Sequence, residues 1–531
     1  MLLFNNIKNL TFTDLIILLI LVLSFKTLFF FTGFILEDSF IGFRAAFNLA
    51  DFGQFSYNLG EINSATTSKV FGFICAFFRL IFKEYAILSI VAFNTIISFF
   101  SSLLILISIK KFFNYENKVL FKNDIFFLTV LIFLNPSISI IGIVGLEFSI
   151  LVFFISLVMF GIIENKKIYL SLILLIPLIR IELIGFVLIL SFFYLYFLQW
   201  KNFLVVIIFA FFGILLNLYL NNIFDGSFFP GTAISKWNIS DNSSNLSLDR
   251  FLTNLNYWFF SERSFFLGVY SKFIPNFIYT ISGIAVLIYA LNNFKYLLIN
   301  KFTSINLNKK IFLMTISASV IFLPLSYVVA GHVWDWYLYP YSFLSYVLLT
   351  VFLINLKNYH KIKNIFIILI FAVTIFQFLV LKNIGFQENS YRSVVGKDIY
   401  KISQNHDEDT LFLEPAGYIP FFAKIKTFDT EGLTSAEIFK YRNQNNNRWW
   451  LDFIEENMPT FIVDRKDLYE GFSQDGKYNF KNSEIIWFKK NYELIKGYNY
   501  QGFVDNYSGI FKPFYRLGSH ADYYLYKKVV N

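Results

Sequence analysis

The chain has 531 residues, of which 56% are hydrophobic and only 15% charged, too apolar a balance for a water-soluble protein of this size to cover itself, so a bilayer has to cover part of it. The formal charge of +9 is carried largely by lysines clustered between apolar runs, which points to membrane topology and away from a nucleic-acid partner. One cysteine, Cys75, excludes an internal disulfide and a multi-thiolate metal site, and reads as a small apolar residue in a helix.

A helix needs about 20 apolar residues to cross the hydrocarbon. Candidate spans fall near 13–31, 85–109, 124–142, 145–163, 168–180, 184–199, 203–220, 273–291, 311–329, 338–355 and 364–381. The first is too long for a signal-peptide core and lacks a small-x-small cleavage pattern, so it is expected to stay as an anchor. Lys110, Lys111, Lys118 and Lys122 follow the second run, Lys166 and Lys167 the fourth, and Lys201 the sixth. Lys295, Lys301, Lys309 and Lys310 follow the eighth, and Lys357, Lys361 and Lys363 the tenth. All fall on one side, which makes the N-terminus and these loops cytoplasmic and everything from about 383 extracytoplasmic. The apolar stretch 69–82 is too brief to cross and is read as a helix at the outer interface, because counting it would invert every later loop. Outer loops then occupy 32–84, 221–272 and 330–337. The cytoplasmic loops hold no Gly-rich phosphate cradle, which argues against a cytoplasmic nucleotide site.

From Gln387 the composition turns polar, with β-type runs at Thr410–Glu414, Thr460–Asp464 and Tyr523–Val529. Thr434-Ser435-Ala436-Glu437 has the pattern of a capping box opening one helix, and Trp449–Asn457 reads as a second, halted by Pro459. The expected fold is a polytopic α-helical membrane module of about 11 spans over residues 1–382, with an extracytoplasmic α/β domain over 383–531.

The first outer loop carries adjacent carboxylates, Glu37 and Asp38, at the membrane end of the first span. On a helix beginning near Ser39 and ended by Gly53, Arg44, Asn48 and Asp51 share one face, while Phe40, Phe43 and Phe47 form another, an amphipathic pattern suited to the interface. Taken alone, the two carboxylates need do no more than complement the helix dipole. Asn58-Leu59-Gly60-Glu61 and Thr66-Thr67-Ser68 follow. Together these residues resemble the loop after the first span in the GT-C superfamily of membrane glycosyltransferases, within the branch that includes mycobacterial arabinofuranosyltransferases. Further stations resemble the same pattern: Gly145-Leu146-Glu147, Arg180-Ile181-Glu182 with Gly185, and Gly226 to Thr232 with Lys236. In the tail Gly417-Tyr418-Ile419-Pro420 and Asp429-Thr430-Glu431-Gly432-Leu433 complete it. Phe148 departs from the family's usual Thr, and the second station has lost its Pro and gained a residue.

The resemblance implies transfer of a sugar from a polyprenyl-phosphate-linked donor to a hydroxyl of a glycan, lipid or protein acceptor, outside the bacterial cytoplasmic membrane. It puts the role of base on Asp38, with Glu37 sharing it or helping Asp38 to hold a divalent metal, Mg or Mn. Arg44, Arg180 and Lys236 are the candidates for the donor phosphate, and Asn48, Glu61 and Glu182 for the surrounding site. Glu147, Arg180 and Glu182 lie close to the hydrocarbon, where a structural ion pair between spans is the alternative. His332, Trp334 and Asp335 lie in the aromatic stretch 331–340, suited to a sugar and equally to an interfacial aromatic belt. Asn-x-Ser/Thr matches at Asn238, Asn242 and Asn245 are expected by chance in an Asn-rich chain, and His406 and His520 read as surface residues. The competing function is a non-catalytic membrane scaffold in envelope or motility-factor assembly. A transporter is disfavoured because the polar residues gather at one face and not at the midplane.

Overall fold

The computed structural model describes residues 28–113, 136–233, 284, 287–293, 295, 306–328, 337, 339–355, 360–435, 437–442, 448–471, 480–518 and 520–529. Contacts within the chain divide it into two units. One comprises 1–32, 88–219 and 244–381, and the other 33–87, 220–243 and 382–531.

The described part of the first unit is helical. Helices at Ala86–Phe112, Phe148–Glu164, Ile184–Tyr196, Trp200–Asp225, Leu307–Val328, Tyr339–Asn355 and His360–Gly385 fall on the apolar runs, and Pro136–Ile143 falls at the end of another. The run 13–31 lies almost wholly outside the described residues, as does most of 273–291. Among the described residues two stretches, Lys69–Phe112 and Trp200–Asp225, are long and apolar enough to cross a membrane. Trp200–Asp225 leaves Leu204, Ile208, Phe211, Phe212 and Leu215 exposed, a face that water does not favour and acyl chains do.

The region expected to form spans 168–180 and 184–199 is broken into pieces. Lys167–Ser171, a 3₁₀ turn at Leu172–Leu174 and Leu175–Ile179 stop at Arg180, which is extended (φ −143°, ψ 103°). A second 3₁₀ turn, Ile181–Leu183, leads into Ile184–Tyr196. The break leaves the Leu178 carbonyl without a helical partner, and Asn217 Nδ2 donates to it at 2.9 Å. As a helix, 167–179 is about 20 Å long, short of the ~30 Å hydrocarbon core. A hairpin that enters and returns would lower the count by a pair and leave every later loop on its original side.

The second unit is built on a five-stranded sheet in the order β2-β1-β3-β5-β4, with β1 (Thr410–Leu413), β2 (Lys426–Asp429), β3 (Phe461–Asp464), β4 (Tyr492–Tyr498) and β5 (Tyr523–Lys528). β2, β1 and β3 are parallel, and β5 runs antiparallel to both β3 and β4. Strand alternation sends Leu411, Leu413, Phe461, Val463 and Leu525 into one core with Tyr391 and Val395. Phe412, Ile462 and Tyr526 go into the other, with Trp450 and Phe453 of the Trp449–Asn457 helix. The expected capping box does not form: Thr434 Oγ1 donates at 2.6 Å to the buried Asp429 carboxylate, which also accepts the Leu433 and Thr434 N–H groups. Helix Lys69–Phe82 ends at Lys83 (φ 48°) with Cys75 buried beneath it.

Candidate functional site

The second unit brings the scattered stations of the sequence pattern together. Leu36 is extended and starts the Glu37–Phe52 helix, so Glu37 and Asp38 occupy its first turn, and Gly53 ends it in the left-handed conformation (φ 74°). Glu37 does more than complement the dipole. Its Oε1 accepts the N–H groups of Gly417 at 2.8 Å and Tyr418 at 2.9 Å, and its Oε2 lies 2.5 Å from Arg392 Nη1. A side chain at 417 would forbid this, since a Cβ there would sit 2.3 Å from the Glu37 carbonyl oxygen. Where a catalytic role was expected, both Glu37 oxygens hold the Tyr418–Ala423 helix and Arg392. Asp38 lies beside it in the same turn, half-buried.

Arg44, expected at the donor phosphate, is likewise bonded within the fold. Its Nε donates to Tyr57 O at 2.9 Å, Nη1 to Pro420 O and Thr427 Oγ1, and Nη2 to Ile425 O at 2.7 Å and Asn58 Oδ1. All five N–H donors of a guanidinium are thus matched within the protein, and the group stacks 4.3 Å over Tyr57. A phosphate would have to displace them. Asn48 Nδ2 donates to Ser56 O and Tyr57 O, and Glu61 pairs with Lys426 at 2.8 Å, so these two shape the loop where a binding role was expected. Asn58 does for β2 what a neighbouring strand would, accepting from Thr427 N at 3.0 Å and donating to Thr427 O at 2.9 Å. The Phe face, expected at the membrane interface, packs on the tail: Phe40 lies 3.9 Å from the Tyr418 ring and 5.1 Å from that of Phe421.

The loop after the Trp200–Asp225 helix joins the same body. Asp225 accepts from Ser64 N, Ser64 Oγ and Gly231 N and pairs with Lys69 at 2.5 Å, both side chains being almost fully buried. Thr67 and Thr232 hydroxyls share a hydrogen bond at 3.3 Å. Sequence reading missed the Lys69–Asp225 pair, whose members lie at opposite ends of apolar helices.

It also missed Glu388 and Arg392, which sit on a π-helical turn, Phe386–Arg392, at the end of His360–Gly385. Arg392 donates to Glu37 and to Tyr523 Oη (3.1 Å), leaving Glu388 Oε1 at 3.7 Å and Oε2 buried without a hydrogen bond. Burial, together with the charges of Glu37 and Asp38, pushes the Glu388 carboxyl up to about 8 against the pull of Arg392, so at neutral pH it holds a proton. The i,i+4 spacing of an acid and a base in the first polar stretch after an apolar run was the signal available. His520 is corrected from a surface residue to a half-buried ring packed among Tyr391, Tyr500 and Tyr523, and burial with Arg392 nearby lowers it to about 4.

In the first unit Arg180 is buried between two carboxylates. Its Nη1 donates to Glu182 at 2.8 Å, and its Nε lies 2.5 Å from Glu147 Oε1, off the N–H direction and so an ionic contact. Phe148 and Tyr337 rings flank the guanidinium. This is the geometry of the structural ion pair. Lys236, His332, Trp334 and Asp335 lie outside the described residues.

A divalent ion at Asp38 does not fit its surroundings: the neighbouring carboxylate already holds a guanidinium and two N–H groups, and a second cation would have to compete with Arg392. Among the described residues no group of three or more His, Cys, Asp or Glu side chains is disposed around a common ion.

Residues 382–526 match the model of a family described as a domain of unknown function, DUF8728. No curated protein matches the chain. Among solved structures it is similar to ArnT from Cupriavidus metallidurans bound to undecaprenyl phosphate, with 8% identity, 92% of this chain and 96% of that one covered, and a TM-score of 0.49. It is also similar to the Archaeoglobus fulgidus oligosaccharyltransferase tethered to an acceptor peptide containing the NVT sequon, with 12% identity, 87% and 69% covered, and a TM-score of 0.47. At these values neither likeness carries an argument about this chain's chemistry.

Proposed function

We propose that this chain is a GT-C type membrane glycosyltransferase of the arabinofuranosyltransferase-like branch, moving a sugar from a polyprenyl-phosphate donor to an acceptor hydroxyl outside the cytoplasmic membrane. The observation that carries the reading is the convergence of its motif residues. Glu37, Arg44, Asn58 and Asn63 from the first outer loop bond directly to residues 417–434 of the tail, and Asp225 and Thr232 bond to residues 64–69. Segments joined by hydrogen bonds lie on one side of any bilayer the chain crosses. On this reading the chain crosses an even number of times between 87 and 220 and again between 243 and 382, as the spans counted in the sequence do.

In the proposed reaction Asp38 accepts the proton of the acceptor hydroxyl as its oxygen attacks the anomeric carbon. The bond from that carbon to the phosphate oxygen breaks, and polyprenyl phosphate leaves with the electron pair. Glu388, protonated, keeps the acidic cluster from carrying a further negative charge beside Asp38. With Arg44 taken up in the fold and Arg180 between two carboxylates, Lys236 is the remaining candidate for the leaving phosphate. No step is routed through a metal.

The extent to which the pattern residues hold the tail to the first loop favours one second reading, a non-catalytic scaffold that keeps the assembly and dispenses with the chemistry. Asp38→Asn separates the two. Under the enzymatic reading, transfer from a radiolabelled polyprenyl-phosphate sugar in membranes falls at least a hundredfold with expression and melting temperature unchanged. A variant that complements a deletion strain fully would establish the scaffold.

A further inference from the structure

The helix His360–Gly385 passes into the π-helical turn at Phe386, and the segment from Tyr500 to Tyr515 wraps that exit. Phe386 stacks on Tyr515 at 4.0 Å and 9°, meets the Tyr507 ring edge at 5.1 Å and packs on Phe503 at 5.4 Å. Lys382 Nζ lies 5.7 Å from the centre of the Phe511 ring. With these rings turned towards the helix end, Ile510 and Leu517 point outward, 90% and 82% exposed. They are the two most exposed large apolar side chains among the described residues. Beside them in sequence or across the Phe511 ring stand Lys382, Lys512 and Arg516, of which Arg516 pairs with Asp505 at 2.6 Å and Lys512 Nζ donates to the Asp505 carbonyl.

We propose that residues 507–518 form a membrane-docking loop, with Ile510 and Leu517 entering the acyl boundary of the outer leaflet and Lys382, Lys512 and Arg516 meeting anionic lipid phosphates. This rests on the proposed last span at 364–381. Distance selects a lipid surface over a protein partner: Phe386 is five residues beyond the end of that run, about 7.5 Å along a helix, so whatever packs on Phe386 lies within the headgroup layer. Amphipathic segments bury their apolar side about 5–10 Å into this zone, and basic residues beside it are drawn to anionic lipids.

The test uses the full chain with Cys75→Ala, reconstituted in vesicles containing anionic phospholipid. An environment-sensitive fluorophore is placed at Ile510→Cys, Leu517→Cys or Ile486→Cys, the last exposed on the helix Asn482–Asn491, which packs against the opposite core of the sheet. Brominated lipids are expected to quench the labels at 510 and 517 at least twofold and to leave 486 unaffected. Vesicles that float with the chain but leave 510 and 517 as unquenched as 486 overturn the docking loop alone. A blue-shifted label that bromolipid does not quench means a protein covers the loop and overturns it as well. A chain that does not float with the vesicles overturns the underlying membrane reading.

Discussion

Replacing Glu388 by Gln tests the electrostatics of the acidic cluster. Gln is a close isostere of the protonated carboxyl, so it keeps the packing and removes the titration. An ordinary glutamate titrates near 4.3, and Glu388 is held at about 8 in the fold by burial and by Glu37 and Asp38. Between those values the folded chain keeps a proton that the unfolded chain has released. The stability contributed by that proton is fully present below the ordinary value and is lost as pH rises through about 8. At about 1.4 kcal/mol per unit the whole interval amounts to roughly 5 kcal/mol as an upper bound. Solvent reaching the side chain, which is 16% exposed, brings this to roughly half. Apparent melting temperatures of the detergent-solubilised chain from pH 5 to 9 should fall for the native protein and be flatter for Glu388→Gln, with the variant the more stable above pH 7. Parallel curves would refute a protonated Glu388.

Gly417→Ala drives a methyl group into the Glu37 carbonyl and should cost more than about 3 kcal/mol, read as protease cleavage of the tail at temperatures the native chain resists. Arg44→Lys keeps the charge and at most three of the five donors. It is expected to destabilise by roughly 2–4 kcal/mol in the same assay, while transfer per folded molecule is retained. Lys69→Met leaves Asp225 charged and buried and should cost about 3–5 kcal/mol. Adding Asp225→Asn should recover part of that loss, as measured by thermal melts of the single and double variants.

The helices of the first unit were legible because their apolar runs are long and uniform, and the one place where the described helices are shorter than those runs has a physical reason. The run 167–196 is apolar enough for two passes, but Pro177 and the charged Arg180 and Glu182 break it into shorter helical pieces, which a composition window does not show. In the tail β1, β3 and β5 were readable, since these central strands are mostly apolar or aromatic. β2 and β4 are the edge strands, and β4 buries only its terminal tyrosines along Tyr492–Tyr498, so their patterns resemble loop. At the candidate site the residue types were found but not their division of labour. Glu37 and Asp38 are adjacent and alike, and only the distant Gly417 and Arg392 show that the first holds the tail. Arg44 looked like a phosphate ligand because its five acceptors are mostly backbone carbonyls, which carry no side-chain signature.

The bond from Arg44 to Thr427 joins residues 383 positions apart, and that separation has a temporal meaning. At about 5–20 residues per second, roughly 20 to 75 s pass between synthesis of the two. Throughout that interval the Arg44 guanidinium and the aromatic face of Phe40 are without their final partners. The segment 37–58 reaches its native contacts only once residues 418–427 have been made, and a chain halted before Asp429 leaves it open to proteases. Completion of the tail thus protects the segment that carries Asp38, so that the surviving chains are those able to assemble the site.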